Sequence, residues 1–423
     1  MRNFLLLVSV LLFAIPGRAQ RDCRSFDYKQ RLLKNDPTLA VTLDGIEQFT
    51  RRQLKEQAVA VTGSGPGYSS VSLITIPVVV HVVYNTSSQD ISDDQIRSQI
   101  DVLNADYHKQ NSDTTAIPSY YSSLAADCGF RFALASVDTN GNPTTGIVRK
   151  HTAAPHFILD DAIKFTARGG DDAWDRDRYL NIWVGNLTAG VLGYSSPVGC
   201  SRETDGVVIL YTAFGTRGMA TTPFNRGRTA THEIGHWLNL IHIWGDANCG
   251  DDEVGDTPMQ QAATEGNPNG MIFSCGNDPY GNMYMNYMDF TDDIGMHMFT
   301  YGQRDRMRTL FAKGGFRYPL LSSKAAPATT GTATTITTDA GASDDGVLQI
   351  FPNPAATMVQ VTIRDQTGTG SWLDIYNQVG QRVLSFRVNS SSFPLSVASL
   401  PGGIYFVRLR DSRLSNSYKL VKL

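Results

Sequence analysis

Beyond its first fifteen residues, no stretch of this chain is long and apolar enough to cross a membrane, so no transmembrane anchor is expected. Charge of one sign is also missing. Lys and Arg number 37 against 40 Asp and Glu, for a net charge of −3, and nothing suggests a nucleic-acid partner. Cysteine is scarce: Cys23, Cys128, Cys200, Cys249 and Cys275 are the five present, an odd number. Of the eight histidines, His81, His108, His151, His156 and His297 have no partner at ligand spacing and read as ordinary.

What is present divides the chain into segments. Arg2, the twelve apolar residues 4–15 and the break at Pro16-Gly17 read as a signal sequence, residues 1–19, with small residues placed for cleavage after Ala19. Export permits disulfides, and Cys23, just past that cleavage, is the natural odd one out. Residues 20–50 are polar, with little hydrophobic periodicity, and are expected to be a pro-segment. Residues 63–67 (GSGPG) are a flexible break.

A catalytic domain is expected over 51–322, its core beginning near residue 70. Residues 74–83 (ITIPVVVHVV) predict a buried strand, with further strands at 130–137, 179–184 and 206–211 and an edge strand near 191–195. Ser92 and Gln95 predict a capping box opening a helix whose buried stripe is Ile96, Ile100, Leu103 and Tyr107. Thr300 and Gln303 predict another, ending near 313–315. The alternation implies an α/β (α+β) domain. Residues 323–345, rich in Ala, Thr, Gly and Ser, read as a linker. Residues 346–423 alternate apolar and polar as a small all-β sandwich.

The chemistry is concentrated at 231–242, THEIGHWLNLIH. On a helix expected over 227–240, His232 and His236 are four apart and present two imidazoles to one metal. Glu233 sits where it can take a proton from a metal-bound water. His242 can join them only if the chain turns sharply, and Asn239 stands at the turn, the residue after Gly most tolerant of a left-handed bend. The set predicts a Zn²⁺ site.

HEIGHWLNLIH resembles the zinc signature of the metzincins, HExxHxxGxxH, with Asn239 in place of Gly. Met288, in NYMD, fits the family's Met-turn. With IPVVVHVVYN, SDDQIRSQIDVLNADY and DGVVILYTAFG, residues 70–320 resemble the pappalysin family, in its ulilysin-like (cytophagalysin) branch. The resemblance implies a metzincin catalytic domain with a twisted mixed sheet and a zinc-binding helix. It also implies a secreted endopeptidase of proteins and peptides, made as a latent zymogen, that binds substrate along an edge strand.

The resemblance further implies a Cys249–Cys275 disulfide, with the family's second pair replaced by Asn267 and Gly295, and a calcium loop of Asp252, Val254, Asp256 and Thr257, which otherwise reads as a solvated turn. Cys23 is implied as a latency switch or is a free thiol without consequence. Asp292 or Asp293 is implied to select a basic residue after the scissile bond. Cys128 and Cys200 are left either to pair or to remain two buried thiols. Phe290 departs from the family's Tyr, so catalysis is slower or Tyr284 or Tyr287 substitutes. A dibasic cut near Thr50-Arg51-Arg52 is expected to mature the enzyme.

IFPNP, IYNQVGQRV, LPGGIYF and the terminal YKLVKL resemble the type A sorting domain of the type IX secretion system. That resemblance implies the secretion machinery as a partner, passage through the periplasm of a Gram-negative bacterium, and a secreted or surface location. The alternative, a non-catalytic surface-binding protein on a metzincin scaffold, rests on Phe290 alone and leaves the base Glu233 without a purpose.

Overall fold

The computed structural model describes residues 21–62, 72–327 and the strands with adjoining turns within 348–422. The expected signal sequence, the 63–67 break and most of the expected linker lie outside the described residues. The chain divides into two units, Met1–Thr329 and Thr330–Leu423.

The N-terminal segment is helical, although its sequence shows little periodicity. Helix α1 (Ser25–Asn35) buries Ser25 and Tyr28, and α2 (Thr38–Thr62) runs straight across the expected domain boundary at residue 50. Both helices are held by the body of the molecule. Glu47 pairs with Arg306, Arg51 with Glu253, and Thr50 is fully buried beside Asn239 and Thr309. Such tertiary packing makes helices that intrinsic periodicity does not announce.

The sheet is built on β1 (Ile74–Tyr84). On one side β1 pairs in parallel with β2 (Phe130–Leu134) and then, further along the same edge, with β3 (Ile147–His151), a strand the sequence did not suggest. On its other side lie β4 (Leu180–Gly185), β6 (Val207–Leu210) and the antiparallel edge strand β5 (Gly193–Ser195). Strands covered on both faces read as continuous β-branched runs, as β1 does. Val78, Val80 and Val82 enter the core beneath the sheet, whereas Val83, Trp183 and Val208 meet Tyr28 above it. His81, buried in this strand, is satisfied by Asp171 at 2.6 Å and Asn181 at 3.1 Å.

Helix α3 (Asp93–Tyr107) packs under the sheet, with Ser92 accepting from the Gln95 amide and Ile96, Ile100, Leu103 and Tyr107 buried as expected. After a single turn of helix α4 (Ser119–Ser122), α5 (Arg228–Trp237) carries the histidines. It is shorter than expected at its C-terminus because the chain turns away to bring His242 back. Helix α6 (Tyr301–Thr309) has the full Thr300/Gln303 capping box but ends at Thr309, and the remaining residues to Gly315 form turns.

Cys249 and Cys275 form a disulfide. Cys128 and Cys200 do not: both are free and buried in separate surroundings, Cys128 beside Tyr107 and Cys200 beside Asp205. Burial pushes the Cys200 thiol up to about 12 and Cys128 higher still, so both are inert. The start of the expected linker also belongs to the fold. Ala325 is fully buried and its carbonyl accepts from the Ser136 amide at 2.8 Å.

The second unit has two antiparallel sheets. Strands β7 (Leu348–Phe351), β8 (Met358–Ile363) and β11 (Ser392–Ser396) form one, in the order β11-β8-β7. Strands β9 (Trp372–Asn377), β10 (Arg382–Arg387), β12 (Gly403–Leu409) and β13 (Tyr418–Lys422) form the other, in the order β10-β9-β12-β13. Val359, Val361 and Leu395 from the first sheet share a core with Leu373, Ile375, Val407 and Leu420 from the second, a sandwich.

A chain stopped after Pro327 is therefore expected to keep the thermal midpoint of the first unit. One stopped after Leu321 loses the Ala325 anchor, worth about 1–2 kcal/mol, and should melt roughly 2–6 °C lower by scanning calorimetry. Equal midpoints would show that Ala325 contributes nothing.

Candidate metal centre

Helix α5 places His232 and His236 one above the other, and Asn239, at φ 74°, turns the chain so that His242 faces both. The three Nε2 atoms lie 3.1–3.2 Å apart across the His236 contacts. Each Nδ1 is occupied elsewhere: His232 donates to the Tyr287 carbonyl at 2.7 Å, His236 to the Leu240 carbonyl at 2.9 Å, and His242 to Asp246. The protons therefore sit on the outer nitrogens. Three lone pairs converge on one point with no hydrogen between them, which only a cation makes favourable. Tetrahedral zinc with ligands near 2.0–2.1 Å implies N···N edges of about 3.3–3.4 Å, so the site fits Zn²⁺.

The supporting shell is specific. The His242 ring stacks on Trp244 with centroids 4.3 Å apart, and its hydrogen bond outweighs burial to hold the Asp246 carboxyl below its ordinary range. Met288 lies beneath the helix. A Cβ on Gly235 would stand 2.5 Å from the Met288 sulfur, so any larger residue there would force the methionine to shift. That Gly235 lies inside the motif, and its role was missed in the sequence because nothing marks which side of a helix another segment will approach.

Cys23 completes the group. Its sulfur and one nitrogen of each histidine all lie within 4.8 Å of one another, with 3.6 Å from sulfur to His236 Nε2. Burial and the Glu233 charge raise the thiol well above its ordinary value, a balance a cation among these ligands reverses.

Glu233 is buried beside it, pushed up to about 7 by burial despite hydrogen bonds from Ser25 (2.7 Å) and Cys23 (3.5 Å). Gly193 of β5 makes room for it, because a Cβ there would meet Glu233 Cγ at 3.1 Å. The segment also lies along β5: Leu192 donates to the Asp22 carbonyl and Arg24 to the Gly193 carbonyl, both at 3.0 Å, in parallel orientation.

Arg21, which belongs to the Arg21-Asp-Cys23 stretch of the expected latency switch but has no role of its own in the sequence reading, enters a buried pocket. It pairs with Asp293 at 2.5 Å, donates to the Thr291 carbonyl and Thr229, and lies over Phe224. Of the two expected specificity residues, Asp293 is thus the one facing the pocket, its second oxygen accepting from the amides of Arg226 and Arg228. Asp292 lies half-buried beside it. The signal available was a basic residue two positions before the candidate switch cysteine. Asn267 Oδ1 lies 3.4 Å from where a Cβ of Gly295 would be, so the two positions implied to replace a disulfide are neighbours in space.

Phe290 packs its ring on His232 and His242 at 5.7 and 4.9 Å. Tyr287 does not replace the missing hydroxyl, since its own is held by Arg228 beneath the site. Tyr284 packs into a separate cluster with Ile243 and Met298.

In the expected calcium loop the residues do not all converge. Asp252, the Val254 carbonyl and Thr257 gather within 2.7–3.0 Å, whereas Asp256 caps α6 through Thr300 and Gly302.

Over residues 167–312 the chain matches the pregnancy-associated plasma protein-A family of peptidases, and over 349–423 a secretion-system C-terminal sorting domain. An extracellular metalloprotease of Pyricularia oryzae is 33% identical over 251 residues, 57% of this chain and 76% of that protein. The chain belongs to the pregnancy-associated plasma protein-A peptidase family. Among solved members, mature mirolysin of Tannerella forsythia with a cleaved peptide is 48% identical, with a TM-score of 0.59 over 60% of this chain and 97% of that one. A promirolysin variant of the same organism is 42% identical, with a TM-score of 0.64 over 71% and 97%. Like these family members, the chain is a zinc metalloprotease. Its sorting domain and extracellular relatives make it a secreted or surface protein.

The contacts that dock α1 and α2 are pH-dependent. Burial would raise Glu47, but the Arg306 hydrogen bond and charge and the Arg51 charge outweigh it. Burial would likewise raise Asp161, but Lys164, Tyr28 and Arg31 outweigh it, so both carboxyls are lowered. A lowered carboxyl contributes stability above its free value of about 4, and that contribution is lost as pH falls below it. Amide exchange in α1 and α2 should therefore accelerate between about pH 4 and 2 relative to the sheet, with Glu47→Gln removing the step in α2. An unchanged ratio down to pH 2 would contradict this.

Proposed function

We propose that the chain is the latent form of a secreted zinc endopeptidase that cuts before basic residues, with Glu233 as its base and Cys23 as its lock. The carrying observation is the fourfold convergence of Cys23, His232, His236 and His242 with Glu233 alongside. Zinc, when bound, lowers the pKa of water and polarises a peptide carbonyl. Glu233, buried beside the metal position, takes the proton and returns it to the leaving amine. In the latent form Ser25 and Cys23 occupy Glu233, so the base is held as well as the metal position. Calcium remains part of the proposal on Asp252, Val254 and Thr257 only.

Arg21 in the Asp293 pocket supports the preference for Arg or Lys after the scissile bond. If that pocket takes the residue after the bond, a substrate runs opposite to the N-terminal segment, which therefore fills the groove backwards and is not cut there. The segment extends past residue 50. Promirolysin covers 71% of this chain and mature mirolysin 60%, a difference of about 47 residues, which matches the distance from Arg21 to the 63–67 break. The expected cut at Thr50-Arg51-Arg52 lies mid-helix with Thr50 buried, so α2 must loosen before it can be made. The sorting domain would deliver the protein through the type IX machinery of a Gram-negative bacterium.

Glu233→Ala should keep zinc, measured by metal analysis, and lose roughly 10³-fold in rate on casein; near-normal proteolysis would refute the base. Cys23→Ala should shorten activation of the full chain, followed by gel and activity over time. An unchanged time course makes the thiol a bystander. Asp293→Asn should lower kcat/KM for Arg-containing peptides by about 10–100-fold while sparing peptides with Leu in that position. Equal losses for both would place specificity elsewhere.

A further inference from the structure

The segment makes one more insertion, away from the metal. Tyr28 of α1 passes the edge of β5 and is fully buried on the upper face of the sheet, among Phe157, Ile163, Trp183 and Tyr194. Its hydroxyl donates to Asp161 at 2.6 Å and accepts from Lys164 at 3.2 Å, and its ring lies 4.9 Å from that of Tyr194 and 4.7 Å from the Lys164 ammonium. Arg31, one turn on, reaches the other oxygen of Asp161 at 2.8 Å.

The floor of this socket belongs to the catalytic unit. Lys164 is held by Asp161 at 3.0 Å, Ser196 at 2.8 Å and the Thr204 carbonyl at 2.9 Å, none of which leaves with the segment. Asp161 is a non-glycine residue at φ 66°, a backbone strain that persists where surroundings fix it. The buried Tyr194 hydroxyl has no hydrogen-bond partner among the described residues. Removing α1 therefore leaves an aromatic-walled hole with a carboxylate oxygen and an ammonium facing it.

We propose that in the mature enzyme this socket is a second recognition site, which takes a tyrosine side chain of a peptide or protein substrate. The placement rests on the reading of the Asp293 pocket given above. Arg21 and Tyr28 lie on opposite sides of Cys23 along the segment, so if the first pocket receives the residue after the scissile bond, the socket receives one before it. Phenylalanine would fill the hole but leave the Asp161 oxygen with Lys164 and without the second hydrogen bond that a hydroxyl supplies, a cost in a desolvated pocket. Lysine or arginine would face the Lys164 ammonium. Tyrosine satisfies shape, cation–π contact and hydrogen bond together.

The test uses the matured enzyme and peptides with one Arg after the scissile bond and Tyr, Phe or Ala placed in turn three to eight residues before it. The expected result is a single position at which Tyr raises kcat/KM roughly tenfold over Ala, through KM, with Phe between them. Asp161→Asn, which keeps an acceptor oxygen but removes its charge, should reduce the advantage of Tyr over Phe, with the Ala peptide as reference rate in each enzyme. Since that variant leaves Lys164 short of a partner and could fail to fold, a second arm uses the wild-type enzyme. N-acetyltyrosinamide at millimolar concentration should slow cleavage of the Tyr peptide and spare the Ala peptide. Equal rates for Tyr, Phe and Ala at every position overturn the proposal, as does a preference for Tyr over Phe that Asp161→Asn leaves undiminished. Cleavage of no peptide at all would overturn the peptidase reading itself, and the socket with it.

Discussion

Three imidazole lone pairs pointed at one spot are unfavourable without a cation, and the rest of the molecule is arranged to keep them there. The outward nitrogens are fixed by two backbone carbonyls and one carboxylate, so the tautomers are not free to relieve the crowding. Tyr287 and Leu240 supply those carbonyls only because the Met288 segment tucks under Gly235 and Asn239 bends the chain back. Edge strand β5 brings Gly193 against Glu233 from above. A change at any of these positions acts through the geometry of the imidazoles.

The N-terminal segment is a negative of the groove it covers. It contributes a basic side chain to Asp293, a sulfur to the imidazoles, a hydroxyl to Glu233, main-chain bonds to β5 and a phenol to Asp161. In the proposed function each contact fills a position that a substrate or the chemistry needs, so latency and recognition are read from one set of interactions. Helix α2 adds a clamp at Arg306, whose guanidinium also donates to the carbonyl of Asn239 in the zinc turn.

Much of the site was legible because its chemistry is local. His232, Glu233 and His236 announce themselves by helical spacing, and Asn239 by its tolerance of a left-handed turn. The valine-rich β1 and the stripe of α3 were equally plain. What stayed hidden depends on partners distant in sequence. Arg21 is one charge among many until Asp293 is seen opposite it. Tyr28 is an unremarked aromatic until the socket appears, and β3, with its charged Arg149 and Lys150, pairs only because β1 offers it an edge. Of the two readings left open for Cys128 and Cys200, two buried thiols is the one observed, and parity of thiols could not decide it because it says nothing about distance. Asp256, implied as a calcium ligand by the family resemblance alone, caps a helix N-terminus.

The central claim is that sulfur and three imidazoles share one zinc ion in the full chain and that the sulfur departs on maturation. X-ray absorption of the zinc-loaded protein measures this directly. Before activation the account predicts one sulfur at about 2.3 Å with three nitrogens at about 2.0–2.1 Å, and after activation a light-atom shell with no sulfur. A zinc ion without sulfur in the unactivated chain would contradict it.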